Sequence, residues 1–304
     1  MAEIAVAPLG ADEVELWVAL RNAVDPQLPV EVEGIGRRMQ DPTGQHMLAR
    51  VDGEPAGVGF AFEQGDLRGT DVAVAFFGVV AGRRGRGAGT ALYRSVSEHA
   101  RAIGKARLQV DLWEDEHDGL RFLERRGFAE VERFARVRLD LARAAVPDDA
   151  PPSGIELVTL DGHTSLAPSM YETAREAYAD MPSADPIEVS FEDFRGWEVE
   201  RPSLRGDLSF LALADGEVIG FGTIDMHGDA VFNSLTAVRR AWRHRGVASA
   251  IKAAQIRAAK AAGVAGLTTF SERRNVPMRT LNAKLGYEPL PDQLRLRGPL
   301  AASA

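Results

Sequence analysis

Residues 83–92 read RRGRGAGTAL, directly after the apolar run VAVAFFGVV at residues 72–80. A strand-like run, a turn rich in arginine and glycine, and a helix-like run follow one another. The first turn of a helix presents unpaired backbone N–H groups and the positive end of the helix dipole. Glycines ahead of it let the backbone come close to a ligand. Such a turn reads as an anion cradle, and phosphate is its usual guest. A second copy lies at residues 242–251, WRHRGVASAI, after the apolar run AVFNSLTAV at 230–238.

Outward from these loops the same order of elements occurs twice. A short strand and a helix open each half, IAVAPLGADEVELWVALRNAV and IELVTLDGHTSLAPSMYETAREAY. In the first helix Val14, Trp17, Val18 and Leu20 share one face. Hairpins follow, HMLARVDGEPAGVGFAF and SFLALADGEVIGFGTID, both turning through Asp-Gly-Glu. After each loop come a helix, a short strand (ARLQVDL; GLTTF), a short helix ending in RRGF or KLGY, and a last strand (VERFARVRLDL; QLRLRG). Arg84 and Arg243 are 159 positions apart, and so are Gly127 and Gly286; Asp52 and Asp215 are 163 apart, an offset absorbed in a loop. The stretch Ala142–Gly154, ARAAVPDDAPPSG, has no apolar period and reads as a linker. The expected domains are residues 1–141 and 155–304, with residues 142–154 between them.

The bulk properties bound the function. A length of 304 residues suits two cores, and 45% hydrophobic with 26% charged residues is a globular balance. The formal net charge of -8 opposes general nucleic-acid binding, which needs a basic face. With no cysteine, disulfides, thiolate metal sites and cysteine nucleophiles are excluded. The histidines show no ligand spacing, so no metal is expected. No basic-then-apolar leader and no membrane-length apolar run is visible, so the cytoplasm is the expected compartment.

Three phosphate-binding patterns compete for the loops. A P-loop needs a lysine that both loops lack. A dinucleotide fingerprint needs Gly-x-Gly-x-x-Gly at the strand end. The first loop offers Gly85 and Gly87, with Asp111 closing the next strand, but Thr90 stands in the third glycine place and the second loop has only Gly246. The third pattern, Arg/Gln-x-x-Gly-x-Gly/Ala, fits both: Arg84, Gly87 and Gly89; Arg243, Gly246 and Ala248.

This pattern, with the strand before it and the helix leading to GF or GY, resembles the GNAT superfamily of acyl-CoA-dependent N-acetyltransferases. The resemblance covers both halves, and SERRNVPMRTLNAKLGY is similar to tandem, mycothiol-synthase-like members. It implies an α/β (α+β) fold of two tandem GNAT-like domains, each a mixed, mostly antiparallel sheet flanked by helices. It implies acetyl-CoA as cosubstrate, with no metal. The CoA pyrophosphate would meet the amides of Arg84, Gly85, Arg86, Gly87, Ala88, Gly89 and Thr90, and of Arg243, His244, Arg245, Gly246, Val247, Ala248 and Ser249. The pantetheine arm would run along Gly78, Val79 and Val80, and along Ala237 and Val238. Asn275 matches an asparagine that contacts cofactor in the family; the first half has Glu116 there.

The resemblance also implies a general acid, commonly a tyrosine four residues before the GF glycine. Leu123 and Asn282 stand in those places. The candidate catalytic residues are therefore Glu272, at the end of the second half's fifth strand, Tyr178, on that half's first helix, and Asn282. Asp111 and Glu114 end the first half's fifth strand, and His117 and His244 lie near the clefts; His244 is expected to serve phosphates rather than chemistry. Tyr171 shares its helix with Tyr178, and Tyr287 is expected to pack under the sheet. The expected reaction is acetyl transfer to a primary amine of a small molecule, with the second domain as the working site, and without nucleic-acid or membrane partners. The acidic segment ADMPSADPIEVSFEDF would draw a cationic amine. The expected protein is a monomer or homodimer. A rival reading is a catalytically silent acyl-CoA sensor or interaction protein, and a dehydrogenase is a third.

Overall fold

The computed structural model describes residues 2–145 and 150–302. The chain folds as two units, Met1–Glu132 with Leu294–Ala304, and Arg133–Gln293. Each is a mixed α/β unit with a mostly antiparallel sheet. The described parts of the Ala142–Gly154 stretch hold only turns and irregular chain; residues 146–149 of that stretch lie outside the described residues.

In the first unit β1 (Ile4–Pro8), β2 (Gln45–Val51), β3 (Glu54–Phe62) and β4 (Val72–Val79) pair antiparallel in turn. β5 (Arg107–Trp113) pairs parallel with β4. The hairpin from β2 to β3 turns through Asp52 (φ 53°) and Gly53 (φ 81°), the left-handed pair that a two-residue turn requires. Alternation along β2 decides what covers each face. Met47 and Ala49 meet the cluster of Leu92, Tyr93 and Val96 on α3 (Ala88–Ala102). Leu48 meets Trp17 and Val18 of α1 (Val14–Val24) and Ile35 of α2 (Val32–Arg38). The strand is buried on both sides, and its centre, Met47, Leu48 and Ala49, is apolar without alternation. Trp17 fixes α1 further, its indole N–H donating to the Met47 carbonyl at 3.0 Å.

The second unit repeats this plan. β7 (Glu156–Thr159), β8 (Phe210–Ala214), β9 (Glu217–His227) and β10 (Ala230–Val238) pair antiparallel, and β11 (Gly266–Glu272) pairs parallel with β10. Asp215 and Gly216 form the same left-handed turn. α5 (Ala167–Asp180) and α6 (Phe191–Glu198) bury Met170 and Phe194 against Leu211 and Phe221. α7 (Val247–Ala261) buries Val247 and Ile251 against Ala212 and Ile219.

A pair of glycines in β3 and in β9 sets how closely the long helices approach. A Cβ at Gly57 would lie 2.4 Å from the Gly78 carbonyl oxygen, and one at Gly59 would lie 3.2 Å from Val96. Gly220 and Gly222 repeat this against Val247 (3.0 Å) and Ile251 (2.8 Å). The motifs GVGF and GFGT are thus the floors on which α3 and α7 rest.

The last strand of each half finishes in the other unit. β6 (Ala129–Asp140) runs from the end of the first half into the second unit, where it pairs antiparallel with β11 from Phe134↔Glu272 to Asp140↔Gly266. α4 (His117–Glu124) precedes it. In the second half, α8 (Val276–Lys284) leads to β12 (Glu288–Pro289), also on β6, and then to β13 (Gln293–Pro299). β13 completes the first unit's sheet beside β5. Leu294 and Leu296 enter the core with Leu108, Val110 and Phe128. Arg295 points the other way, its guanidinium on Asp111 (2.9 Å) and Glu132 (3.0 Å). Both last strands carry the same alternation, so nothing local in the sequence says which sheet either one joins. Deleting residues 294–304 is expected to loosen the first unit selectively. Hydrogen exchange should become fast in β4, β5 and α3 while β9, β10 and α7 keep their protection; equal loss in both units would contradict this assignment.

Candidate functional site

In the first unit β4 and β5 pair only over Val72–Val74 and Arg107–Gln109. β4 continues along β3 as far as Val79↔Gly57. Beyond Val74 the two parallel strands therefore part, and a cavity of about 920 Å³ opens between them. Phe77, Gly78 and Val79 form one wall, Val110–Trp113 another, and the arginine loop the end. Gly85 (φ 77°) and Gly87 (φ 96°) take left-handed conformations, and Gly87 caps α3. Arg84 is tied back, its Nε donating to the Val79 carbonyl at 3.0 Å. Ala88, Gly89 and Thr90 form the first helical turn over the cavity, and a Cβ at Gly89 would meet Phe122 at an ordinary 3.6 Å. Arg86 is exposed, and Val80 follows β4 with its N–H on the Ala56 carbonyl.

The second loop copies the tether: Arg243 Nε donates to the Val238 carbonyl at 2.9 Å. Gly246 (φ 88°) caps α7, whose first turn is Val247, Ala248 and Ser249. His244 occupies the place of Gly85 and is itself left-handed (φ 59°). Arg245 lies with its guanidinium 5.2 Å from the Trp242 ring. β10 and β11 pair at Phe232↔Thr268 and Asn233↔Thr269, and a bulge follows between Asn233 and Thr236. Ala237, buried, and Val238 finish the strand. The electrostatics differ from those of the first loop. Asp180 of α5 bonds Arg240 and Arg243, both at 2.6 Å, and these two guanidinium groups hold its carboxyl down at about 2. Glu176 accepts the Arg240 N–H at 2.6 Å. Asn275 caps α8, its Oδ1 accepting from Met278 N at 3.3 Å.

The chemical candidates are not gathered around one point. Glu272 is buried and closed on its neighbour, accepting from Arg274 N (2.5 Å) and Nε (2.8 Å). Tyr178 is half-buried against the α5–α6 core, and the Tyr171 hydroxyl donates to the Val189 carbonyl. Asn282 is 1% exposed, and its side-chain oxygen and nitrogen both lack a hydrogen-bond partner among the described residues. Its counterpart Leu123 belongs to the first unit's core. Tyr287 is buried, as expected, and its hydroxyl donates to Asn233 Oδ1 at 2.5 Å. Asp111 is held by Arg295, and His117 lines the first cavity at the start of α4. Glu114 directly follows β5.

Sequence reasoning missed a network on the first cavity. Arg21 bonds Asp25 at 3.0 Å, with its guanidinium 3.9 Å over the Phe76 ring, and Trp113 Nε1 donates to Asp25 at 2.9 Å. Glu116 faces the same cavity, and burial, then the Asp25 charge, push its carboxyl above the usual range. Asp25 ends α1 and Trp113 ends β5, 88 positions apart, so no local pattern joins them. Among the described residues no helix is long and apolar enough to cross a membrane, and no His, Cys, Asp or Glu cluster gathers that could hold a metal ion.

The model of the acetyltransferase (GNAT) family matches residues 13–128 and 168–287, and the chain belongs to that family. A mycothiol acetyltransferase of Nocardia farcinica is 26% identical over 295 residues, which span 92% of this chain and 91% of that one. Two solved structures share the fold. A tandem GNAT protein of the clavulanic acid biosynthesis pathway has a TM-score of 0.76 at 21% identity, over 99% of this chain and all of the other. A GCN5-related N-acetyltransferase from Sphaerobacter thermophilus has a TM-score of 0.73 at 19% identity, over 99% and 97%.

The left-handed His244 generates a prediction. A side chain there costs about 1–2 kcal/mol over glycine, partly offset by glycine's greater freedom in the unfolded chain. His244→Gly is expected to raise stability by about 1 kcal/mol, read as a higher urea midpoint with an unchanged slope. A lower midpoint would show that the imidazole makes a contact worth more than the strain.

Proposed function

We propose that this member of the acetyltransferase (GNAT) family moves an acetyl group from acetyl-CoA to a primary amine of a small molecule. The second unit carries the transfer, and the first holds cofactor without turnover. The observation that carries the reading is the doubled cradle. A strand end, a tethered arginine and a left-handed glycine lead into a helix N-terminus at matched positions, and the first copy faces a cavity of about 920 Å³. Such a cradle suits a pyrophosphate. The edges of β4 and β10 left without a parallel partner offer backbone groups to the pantetheine amides. The likeness to a mycothiol acetyltransferase supports a small-molecule acceptor.

The units differ in what they could do with a bound thioester. Asp25, Asp111, Asp115, Glu116 and Asp118 line the first cavity, and Leu123 fills the place of the acid with hydrocarbon. The second unit keeps Asn275 at the helix cap and polar side chains at its interior positions. There the neutral amine attacks the thioester carbonyl carbon, the C–S bond breaks, and the thiolate takes up a proton.

Two substitutions separate the loops. Gly89→Asp and Ala248→Asp each place a carboxylate on the first turn of a helix, where the dipole tolerates it but a phosphate does not. Calorimetry with acetyl-CoA is expected to show two sites in the wild type and one in each variant. CoA release over a panel of primary amines is expected to fall about 100-fold or more in Ala248→Asp, as loss of about 3 kcal/mol of binding implies. Undiminished turnover in Ala248→Asp would move the chemistry to the first unit. Binding with no release for any amine would establish a silent acyl-CoA-binding protein instead.

A further inference from the structure

The interior of the second unit holds polar groups that the mechanism above leaves unused. Lys252, on α7, is 1% exposed, and no carboxylate bonds its ammonium among the described residues. The nitrogen lies 5.5 Å from the ring of Tyr287. The Tyr287 hydroxyl donates to Asn233 Oδ1, and Asn233 Nδ2 donates to Gln255 Oε1 at 3.0 Å. Gln255 sits three residues along α7 from Lys252, on the same side. Three further polar groups are buried without partners among the described residues: Gln255 Nε2, Ser271 Oγ and both ends of the Asn282 amide.

Buried polar groups are costly unless something satisfies them. Here Lys252, Tyr287, Asn233 and Gln255 form a connected set, and the repeat shows that the fold does not require such groups. The 159-residue offset aligns Lys252, Gln255, Ser271, Asn282 and Tyr287 with Tyr93, Val96, Leu112, Leu123 and Phe128. The pairing register aligns Asn233 with Ala75. In the first unit all but Tyr93 end in hydrocarbon, and the Tyr93 hydroxyl donates to the Pro299 carbonyl. One copy has an apolar interior at these positions; the other has a polar one, called the chamber below.

The chamber lies beside the point where β10 and β11 stop pairing. Asn233↔Thr269 is the last rung between β10 and β11, and Ser271 comes two residues later on the same face of β11. In the first unit Phe77 stands between Tyr93 and the cavity, 5.8 Å from the Tyr93 ring and on the cavity wall. Its counterpart is Thr236, a half-buried hydroxyl of smaller bulk. Water held by Gln255, Ser271 and Asn282 can therefore link Lys252 to the gap between the strands.

We propose that Lys252 supplies, through this chamber, the proton that the departing CoA thiolate takes up in the second cleft. The amine nitrogen attacks the thioester carbon, and the C–S bond breaks with its electron pair on sulfur. Sulfur takes a proton from the chamber, Nζ gives one up to replace it, and the proton shed by the acceptor nitrogen returns to Nζ. The proposal rests on the reading that the second loop binds acetyl-CoA. Burial alone lowers the Lys252 ammonium to about 8, so it yields its proton more readily than an exposed lysine. Beside it is the Tyr287 ring, whose hydroxyl burial pushes upward out of reach, and that hydroxyl leads to the uncharged Asn233 and Gln255. Glu272 is engaged by Arg274.

The test compares Lys252→Met with the parent, both carrying Gly89→Asp so that only the second loop is loaded. Free CoA is the probe, and ultraviolet absorbance of its thiolate is followed against pH. The bound thiol is expected to ionise about one pH unit or more below free CoA in the parent, as a thiol beside an ammonium does. That shift should vanish in Lys252→Met while calorimetric affinity changes less than about twofold. An unshifted thiol in the parent, or equal shifts in both proteins, overturns the proposal while leaving the cofactor reading intact. Failure of Gly89→Asp to bind CoA overturns the cofactor reading itself. Stability provides an independent check on the group. Because its folded value lies below the unfolded one, the parent gains stability as pH rises from about 8 toward about 10.4, and Lys252→Met lacks that rise. With an amine that is turned over, Lys252→Met in the otherwise wild-type chain should lose about 100-fold in kcat with KM for acetyl-CoA little changed.

Discussion

Everything at the two loops depends on how closely a helix can lie on its sheet. α3 and α7 start beside the ends of β4 and β10 because β3 and β9 offer glycine beneath them. A methyl group at Gly57 would overlap the neighbouring strand's carbonyl oxygen, and one at Gly222 would press on Ile251. With the helix seated this low, its first-turn amides come level with the strand end. The turn between them must then be tight, which is why left-handed glycines cap both helices and an arginine ties each turn to the strand before it. Charge, backbone conformation and helix position form one device.

The two copies of this arrangement differ in what surrounds them. The first retains the more permissive turn, with glycine at both left-handed positions and an open cavity. Carboxylates line its cavity wall, and an apolar interior lies behind it. The second tolerates a strained histidine, engages two arginines with Asp180, and breaks the regularity of β10 with a bulge. A bulge re-aims the side chains that follow it. Here it lies between Asn233, which belongs to the polar interior, and Ala237–Val238, which finish the strand beside the loop.

The elements and the loops were legible because their signals are local. Alternation in the hairpins, Asp-Gly turns and the arginine–glycine motif each sit within a few residues of the structure they specify. The register between the halves was legible too, since Arg84 and Gly127 repeat at one spacing. The contacts that shape the clefts were not. Asp25 meets Trp113 across most of a domain, and Lys252 reads in sequence as one more cation in an alanine-rich helix whose sides are almost all buried. The exit of each last strand was likewise hidden, because Leu294 and Leu296 follow the same alternation as the strand of the first half and pack against partners far back in the chain.

That last feature has a consequence for synthesis. The second unit, Arg133–Gln293, is complete in one continuous stretch, and it can close as soon as that stretch has emerged from the ribosome. The first unit waits for β13, although the rest of its body is made first. Until β13 arrives, β5 is an unprotected edge with Leu108 and Val110 beside it, the kind of surface on which nascent chains associate. The half translated earliest therefore closes only after a strand that follows the other unit in the chain has been made.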